Sequence, residues 1–325
     1  MIISQTPLRT SFFGGGTDIA DYYRQFGGAV LSSTINKYIY IIVKSRYDDY
    51  IILNYSEREK EKDVNQIKHG IFREALQMAG IEKGVEITSI ADIPAEGSGL
   101  GSSSSFTVGL LNALFAFKGE YKNAYELAEM ACEIEISRLG EPIGKQDQYA
   151  AAFGGFNNFF IDSEDKVTVS RIDLDDKARN LLNSYTMLFY TGISRKASTV
   201  LSDLKSNGIH NTSALHRIKE MAVQGRGYLL NLDIEILGKL LERNWEAKKT
   251  LSVRIVNKEI DDIYGRAKEA GAYGGKLLGA GGGGFFLFFC HPEKQQTVRT
   301  ALLDYQELPF CFEKYGSRIV FNIKD

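Results

Sequence analysis

Three glycine-rich stretches and two isolated acids contain the residue types in this sequence that could carry out chemistry. The stretches are PLRTSFFGGGTD (Pro7–Asp18), PAEGSGLGSSSSF (Pro94–Phe106) and KLLGAGGGGFFLFF (Lys276–Phe289), and the acids are Glu135 and Asp147. Glycine allows close approach of the backbone to a ligand, and carboxylates can accept protons or bind cations. A flexible linker has a similar composition, so the sequence around each stretch must decide between the two interpretations.

The second stretch has the pattern of a phosphate-binding helix start. Three glycines precede an apolar helical run and three serines fall at its first turn: Gly97, Gly99, Gly101, Ser102, Ser103 and Ser104. A helix N-terminus has unpaired N–H groups and a partial positive charge, and glycines before it let the backbone close around an anion. A serine hydroxyl there can also reach a magnesium ion. A capped helix after a flexible loop is the alternative for these residues.

The first stretch ends in a turn that carries a carboxylate. The turn consists of three glycines followed by Thr17 and Asp18, and it brings the Asp18 carboxylate close to the backbone. Arg9 lies just upstream. A short acceptor such as Asp18 is suited to the hydroxyl groups of a sugar. A tight turn with an Asx-type hydrogen bond is the alternative interpretation.

The third stretch has four consecutive glycines before an apolar strand. Such a run costs chain entropy, which indicates that backbone passes close to a ligand or to another loop. GAGGGG (Gly279–Gly284) satisfies the dinucleotide-binding spacing, but it precedes a strand instead of opening a helix, so that function is excluded. GEPIGKQ (Gly140–Gln146) is one residue too short for a P-loop and has no Ser or Thr after its lysine.

The two acids fall between the second and third stretches. In the predicted helix Ala124–Leu139, Glu135 interrupts an apolar row with i,i+4 spacing. A buried carboxylate needs a cation or hydrogen-bond donors, which a magnesium ion or a buried arginine would supply. Asp147 precedes a run of small residues, and an aspartate there could take a proton from a hydroxyl group or cap a helix.

The composition indicates a soluble globular protein. The chain has 325 residues, of which 44% are hydrophobic and 25% charged, and its net charge is −2. This balance predicts neither nucleic-acid nor membrane binding. The start, MIISQTPLR, lacks the pattern of a signal peptide, and three scattered cysteines indicate a reducing compartment, so we expect a cytoplasmic location.

Hydrophobic patterns predict mixed helices and strands without a regular βαβ alternation, which favours an α+β fold. The predicted strands are Tyr38–Val43, Tyr50–Leu53, Val85–Ile90, Phe156–Ile161, Val167–Ile172, Tyr185–Tyr190, Phe285–Cys290 and Arg318–Ile323. The predicted helices are Gln66–Ala79, Ser103–Phe117, Ala124–Leu139, Ala214–Leu230, Ile234–Lys248 and Asn257–Ala270. A weak boundary near residues 180–184 predicts two domains, 1–182 and 183–325.

The three stretches in this order, with Glu135 and Asp147 between the last two, resemble the GHMP small-molecule kinases, a superfamily named for galactokinase, homoserine kinase, mevalonate kinase and phosphomevalonate kinase. Galactokinases carry Gly-Glu-His where this chain has Gly14-Gly15-Gly16. The GGGTD form, QDQYAAAFGGFN and TGISRKAS are similar to the D-glycero-D-manno-heptose 7-phosphate kinases and the related fucokinases. The resemblance implies a two-domain α+β fold, S5-like in its N-terminal half and ferredoxin-like in its C-terminal half.

The resemblance also implies residue roles. ATP would be bound by a loop of eight residues: Gly97, Ser98, Gly99, Leu100, Gly101, Ser102, Ser103 and Ser104. Mg²⁺ would be held by Ser103 and Glu135, with Ser102 as the second choice of serine and Glu133 as the alternative acid. Asp147 would act on the acceptor hydroxyl, and Arg9 would stabilise the transferring phosphoryl group. Substrate would be bound by Gly15, Gly16, Thr17, Asp18, Gly281, Gly282 and Gly283.

The expected activity is ATP-dependent phosphorylation of the anomeric hydroxyl of a sugar phosphate, most closely D-glycero-D-manno-heptose 7-phosphate. A substrate that already carries a phosphate needs a basic pocket, for which Arg195 is the first candidate and Lys196 and Lys145 are further ones. A kinase acting on a free sugar and a non-catalytic sugar-binding regulator are the alternatives. The partner is thus a small molecule, and the protein is expected to be a monomer or a homodimer.

Overall fold

A computed structural model describes residues 1–93, 97–194 and 212–323 of the chain. The strands are β1 Ile2–Phe13, β2 Gly28–Ser45, β3 Ile51–Asn54, β4 Arg58–Glu61, β5 Val85–Ala91, β6 Phe156–Ile161, β7 Val167–Ile172, β8 Thr186–Tyr190, β9 Ala272–Leu277, β10 Phe285–Cys290, β11 Phe312–Glu313 and β12 Arg318–Asn322. The helices are α1 Ala20–Phe26, α2 Gly70–Ala79, α3 Ser102–Lys118, α4 Ala124–Cys132, α5 Gln146–Phe153, α6 Asp176–Ser184, α7 Thr212–Asn231, α8 Ile234–Lys249, α9 Lys258–Glu269 and α10 Pro292–Ala301. A short 3₁₀ helix covers Val64–Gln66, and a π-helical turn, Glu133–Arg138, continues α4.

The larger of two sheets is organised around the long strand β2. One edge of β2 pairs antiparallel with β1, and the other pairs with β6 over residues 28–33 and with β5 over residues 39–45. The sheet order is β12-β1-β2-β5-β3-β4, with β6, β7 and β11 joined to it through β2. Helix α3 packs against β1 and β2. Its residues are apolar around most of the circumference, as expected for a buried helix.

The smaller sheet has the antiparallel order β8-β10-β9. Strand β10, FFLFFC, is buried along its whole length because its side chains alternate between two apolar clusters, one shared with the larger unit and one under the helices of the second unit. Trp245, Ile263 and Phe286 belong to a separate apolar cluster under this sheet. The smaller sheet is therefore the base of a second packing unit, and the segments between the two sheets form a cleft.

The end of the chain returns to the larger sheet. Strand β12 pairs with β1, and β11 pairs with β2. A division at 182/183 falls inside α6, and the described residues after position 311 pair with strands of the N-terminal half. The division into 1–182 and 183–325 stays a prediction.

Most predicted elements agree with the structure to within a few residues, including β6, β7 and β10, whose bounds match. The sequence patterns missed β1, the first part of β2, and α5, the helix that carries Asp147. Strand β1 lacks a clear alternation because its residues 6–13 are buried on both faces, under α3 on one side and the second unit on the other. None of the described helices is long and apolar enough to cross a lipid bilayer.

Candidate active site

A cleft of about 410 Å³ lies between the two units and collects parts of all three glycine-rich stretches. Its walls come from the end of β1 and the following glycines, the loop before α3, the start of α5, helix α8, and the loop after β9. The site residues expected from the sequence that line it are Arg9, Gly15, Gly16, Asp18, Gly97, Ser98, Gly99, Gly101, Ser102, Ser103, Ser104, Asp147, Gly281 and Gly283.

The loop before α3 is shaped by three glycines with positive φ. Gly97, Gly99 and Gly101 have φ angles of 72°, 74° and 75°, a conformation that favours glycine. Gly101 occupies the N-cap position of α3, and no side chain caps the helix. The first turn of α3 lines the cleft, so a phosphate bound there could accept hydrogen bonds from its uncapped N–H groups.

The loop after β9 packs directly against the loop before α3. A Cβ at Gly99 would lie 2.7 Å from the Leu278 carbonyl oxygen, and one at Gly279 would lie 2.6 Å from the Gly99 Cα. The Phe285 N–H donates to the Ser98 carbonyl at 3.2 Å. Within the four-glycine run, a Cβ at Gly284 would lie 2.5 Å from the Ser98 carbonyl oxygen. Contact between two loops was one of the two explanations that the sequence left open.

Glu135 is buried beside the first turn of α3. It is 1% exposed, accepts a hydrogen bond from Ser103 Oγ at 2.7 Å, and accepts one from Gln148 Nε2 at 2.7 Å. Burial raises the pKa of this carboxyl, hydrogen bonds from Ser103, Ser104 and Gln148 oppose that rise, and the charge of Asp147 adds to it. A cation would stabilise the ionised form, so Glu135 and Ser103 suit a hard metal such as Mg²⁺.

Glu133, the other acid in this turn, is exposed and pairs with Arg138 at 2.6 Å. Within the described residues, no group of three or more His, Cys, Asp or Glu side chains could bind a metal ion by itself. A metal at Glu135 would therefore need additional oxygen ligands. Mg²⁺ commonly takes these from water and substrate phosphates.

Arg9 and Asp147 form a bidentate ion pair in the cleft. Arg9 Nε donates to Asp147 Oδ1 and Arg9 Nη2 to Asp147 Oδ2, both at 2.6 Å. The third contact of the guanidinium, from Nη1, is to the Gly99 carbonyl at 2.5 Å. Arg9 is 4% exposed, whereas the Asp147 side chain is 22% exposed, so the carboxylate remains accessible from the cleft.

Asp18 is held by backbone donors and lies close enough to Asp147 for the two charges to interact. Its carboxylate accepts from the Gly16 N–H at 2.9 Å and from the Gln146 N–H at 3.2 Å. Burial raises the pKa of Asp18, and the Asp147 charge raises it further, while these hydrogen bonds lower it. A Cβ at Gly144 would lie 2.0 Å from Asp18 Oδ2, which explains why the second glycine of the GEPIGKQ segment has no side chain.

Several expected site residues do not line the cleft. Thr17 is fully buried, and its hydroxyl lies 2.7 Å from the Gly14 carbonyl and accepts from the Ala29 N–H. The Leu100 side chain is buried as well, and its carbonyl accepts from the Arg9 N–H. Gly282 and the expected metal ligand Glu135 are also absent from the lining.

Two of the candidates for a basic pocket, Arg195 and Lys196, lie outside the described residues. The third, Lys145, does not line the cleft. Its Nζ donates to the Asp165 carbonyl at 2.6 Å. Of the three basic residues that the sequence suggested for a substrate phosphate, the one that the structure describes therefore lies outside the cleft.

The sequence analysis missed five polar residues in the cleft wall, namely Ser11, Glu141, Gln146, Lys248 and Lys276. Ser11 Oγ and Gln146 Oε1 are buried without a hydrogen-bond partner among the described residues. The sequence pattern could have indicated two of these residues, because a lysine interrupts an apolar pattern in each case. Lys248 falls on the apolar face of α8, and Lys276 lies within an otherwise apolar strand.

The fold and the cleft define a member of a known kinase family. Residues 65–155 match the model for the GHMP kinases N terminal domain, and residues 226–307 match the one for GHMP kinases C terminal. A D-glycero-alpha-D-manno-heptose 7-phosphate kinase of Campylobacter jejuni is 35% identical, with 97% of each chain covered. The chain therefore belongs to the GHMP kinase family, as its sequence motifs predicted.

Two further relatives bear on the fold. The crystal structure of a D-glycero-D-manno-heptose 1-phosphate kinase from Bacteroides thetaiotaomicron superposes with a TM-score of 0.83 at 29% identity, and both chains are covered completely. A galactokinase of Pyrococcus furiosus is 27% identical over 93% of this chain and 92% of that protein. The predicted α+β GHMP kinase fold is confirmed.

The contact between the two glycine loops can be tested with a matched pair of substitutions. Gly99 and Gly192 have φ angles of +74° and +75°, but a Cβ at Gly192 meets none of the described residues within 4 Å. Both alanine variants carry the same backbone strain, so we expect Gly99→Ala to be about 1–3 kcal/mol less stable than Gly192→Ala, because only the former forces the loops apart. Urea denaturation measures the difference, and equal stabilities would contradict the loop-packing explanation.

Proposed function

We propose that this protein transfers the γ-phosphoryl group of ATP to the anomeric hydroxyl of D-glycero-D-manno-heptose 7-phosphate, giving the 1,7-bisphosphate and ADP. Membership of the GHMP kinase family supports phosphoryl transfer. The names of two full-length relatives, both heptose phosphate kinases, support the substrate class. The observation that carries the proposal is that the uncapped start of α3 and the accessible Asp147 carboxylate face the same cleft.

ATP is proposed to bind with its phosphates at the loop formed by residues 97–104. The positive-φ glycines keep side chains away from the phosphates, and the first-turn N–H groups of α3 donate to them. The Ser98 and Ser102 hydroxyls, 3.0 Å apart, add donors on the cleft wall. Leu100 would contribute through its backbone, because its side chain is buried in the core.

Mg²⁺ is proposed to bind at Ser103 and Glu135, whose oxygens lie 2.7 Å apart at the start of α3. When bound, the ion would neutralise charge on the phosphates of ATP. Gln148 would orient the Glu135 carboxylate through its hydrogen bond.

Asp147 is proposed to accept the proton of the acceptor hydroxyl as the hydroxyl oxygen attacks the γ-phosphorus. The bond between the γ-phosphorus and the bridging oxygen breaks, and ADP leaves. Arg9 holds the carboxylate by two hydrogen bonds and is itself tied to Gly99. Three donors of Arg9 are thus used within the protein, and its two others remain for the transferring phosphoryl group. Catalysis would rest mainly on positioning and electrostatics.

The acceptor sugar is proposed to lie beside Asp18, with Gly15, Gly16, Gly281 and Gly283 forming the adjacent backbone walls of the cleft. Thr17 would act indirectly by fixing the glycine turn, and Gly282 by shaping its loop. Arg195 stays a predicted substrate residue. The cytoplasmic location, the cofactor pair ATP and Mg²⁺, and the monomeric or homodimeric state stay predictions too.

The substrate proposal is tested by ADP release with Mg-ATP and a panel of acceptors: heptose 7-phosphate, free heptose, mannose, fucose and galactose. We expect turnover with heptose 7-phosphate in preference to the free sugars, and phosphorus NMR should show a new phosphate at the anomeric position. Turnover with a free sugar alone would retain the kinase and reject the substrate. Binding of ATP without turnover on any acceptor would support the non-catalytic alternative.

The role of Asp147 is tested by Asp147→Asn. The amide keeps the shape of the side chain but cannot take up the proton, so we expect kcat to fall about a hundredfold or more. Nucleotide affinity, measured by calorimetry, should change little because the N-terminus of α3 is intact. Asp162→Asn, at a surface turn, is the control. A variant at position 147 with near-normal turnover would show that the base is another group.

The metal site is tested by Glu135→Gln together with Ser103→Ala. Glu135→Gln removes the carboxylate charge and one of its two oxygens, and Ser103→Ala removes the hydroxyl group. The Mg²⁺ concentration needed for half-maximal turnover should therefore rise several-fold. Glu133→Gln is the matched control, because Glu133 is the exposed acid of the same turn. An unchanged magnesium titration for the Glu135 variant would reject that residue as a ligand.

A further inference from the structure

Two lysines are buried in the wall of the cleft, and the proposed mechanism uses neither of them. Lys276 is at the end of β9 and is 3% exposed, and Lys248 is in the last turn of α8 and is 8% exposed. Both line the same cleft as Arg9, Asp18 and Asp147. Lysine is among the residues least often buried without a charged partner, so this pair needs an explanation.

Both amines donate to backbone carbonyls. Lys276 Nζ donates to the Phe12 carbonyl at 3.0 Å, while Lys248 Nζ donates to those of Leu277 and Gly279 at 2.9 and 2.6 Å. Neither amine has a carboxylate within 4.0 Å in the described part of the chain. Since an ammonium group has three donors, two remain on Lys276 and one on Lys248.

The charges that face these amines leave the pair without a counter-ion. Arg9 and Lys248 lie near Lys276 and disfavour its charged form, and Asp18 is the acid that favours it. Arg9 likewise faces Lys248. Asp147 is already paired with Arg9, and burial raises the pKa of Asp18, so neither acid neutralises the two amines. A buried cationic pair of this kind is expensive unless an anion joins it.

The backbone partners place the pair beside the proposed acceptor subsite. Phe12, which accepts from Lys276, precedes the glycines that lead to Asp18. Gly279, which accepts from Lys248, begins the loop that includes Gly281 and Gly283. Gly279 also packs against Gly99 in the loop before α3, where the ATP phosphates are proposed to lie, and the uncapped first turn of α3 supplies its own donors there.

We propose that Lys276 and Lys248 bind the phosphate that the acceptor already carries and so select a sugar phosphate over a free sugar. This inference rests on the proposed function, because it names residues for the acceptor's own phosphate. The chemistry recognised is a phosphate dianion. The γ-phosphoryl group of ATP is the other possible source of that anion, and the experiment below distinguishes the two.

The protonation state of the two amines predicts how the binding of a phosphate depends on pH. Burial is the main cause that lowers the pKa of Lys248 to about 7, and burial also lowers the pKa of Lys276 well below its ordinary value. Above pH 7 the Lys248 amine is mostly neutral, and the lowered pKa of Lys276 makes its amine lose the proton more readily than an ordinary lysine does. A bound phosphate favours the charged form, raises both pKa values and draws protons from solvent, so binding should weaken as pH rises through and above 7.

The variants for the test are Lys276→Met and Lys248→Met, which keep the length of the side chain and remove its charge. Lys249→Met is the matched control, since Lys249 is the next residue on the same helix, is paired with Glu246 at 2.8 Å, and does not line the cleft. For each variant, kcat/KM is measured with heptose 7-phosphate and with free heptose, and the affinities for ATP and ADP are measured by calorimetry.

We expect each cleft variant to lose at least about tenfold in kcat/KM for the sugar phosphate while changing little for the free sugar. The control should keep the wild-type ratio. Equal losses for both sugars would overturn the proposal. A loss of affinity for ATP without a loss of affinity for ADP would also overturn the proposal, because it would assign the lysines to the γ-phosphoryl group. Failure of the proposed function is distinguishable, because wild-type protein would then fail to use heptose 7-phosphate.

A second measurement avoids any risk that a variant misfolds. Wild-type protein is titrated with heptose 7-phosphate at pH 8 in two buffers of different ionisation enthalpy, and the difference in heat gives the number of protons taken up. We expect net uptake with the sugar phosphate and little with the free sugar. Binding without this difference in uptake would overturn the proposal.

Discussion

The arrangement of the cleft depends on the hydrogen bonds that the Arg9 guanidinium donates. The guanidinium joins strand β1 to helix α5 through Asp147 and to the loop before α3 through the Gly99 carbonyl. The backbone N–H of Arg9 also donates to the Leu100 carbonyl at 2.9 Å. Because guanidinium geometry is planar and its donors are fixed in direction, one buried residue sets the relative positions of the proposed base and the proposed phosphate loop.

A second constraint is the close approach of backbone from the two units. The loops at Gly99 and Gly279 touch without intervening side chains, and Lys248 holds the Gly279 carbonyl from the other side. The second and third glycine-rich stretches therefore line the same cleft, although they are far apart in the sequence.

Charge in the cleft is balanced only in part within the protein. Arg9 and Asp147 pair with each other, whereas Glu135 and Asp18 are buried acids whose pKa values are raised, and Lys248 and Lys276 are buried bases whose pKa values are lowered. Each shift has burial as its first cause, so each group would gain from a ligand of opposite charge. A divalent cation and phosphate groups are such ligands, and this imbalance is typical of sites built for charged substrates.

The sequence by itself determined the family, the α+β class and many elements, because glycines at special φ angles and apolar periodicity are local signals. Gly97, Gly99 and Gly101 before an apolar helix are an example, as is the placement of Glu135 on the buried side of its turn. Only the tertiary structure decided that Thr17 is a turn-forming residue, that Arg9 binds Asp147, and that Lys248 and Lys276 meet in the cleft. These contacts join residues far apart in the chain, and no local pattern encodes which distant partner a buried charge will meet.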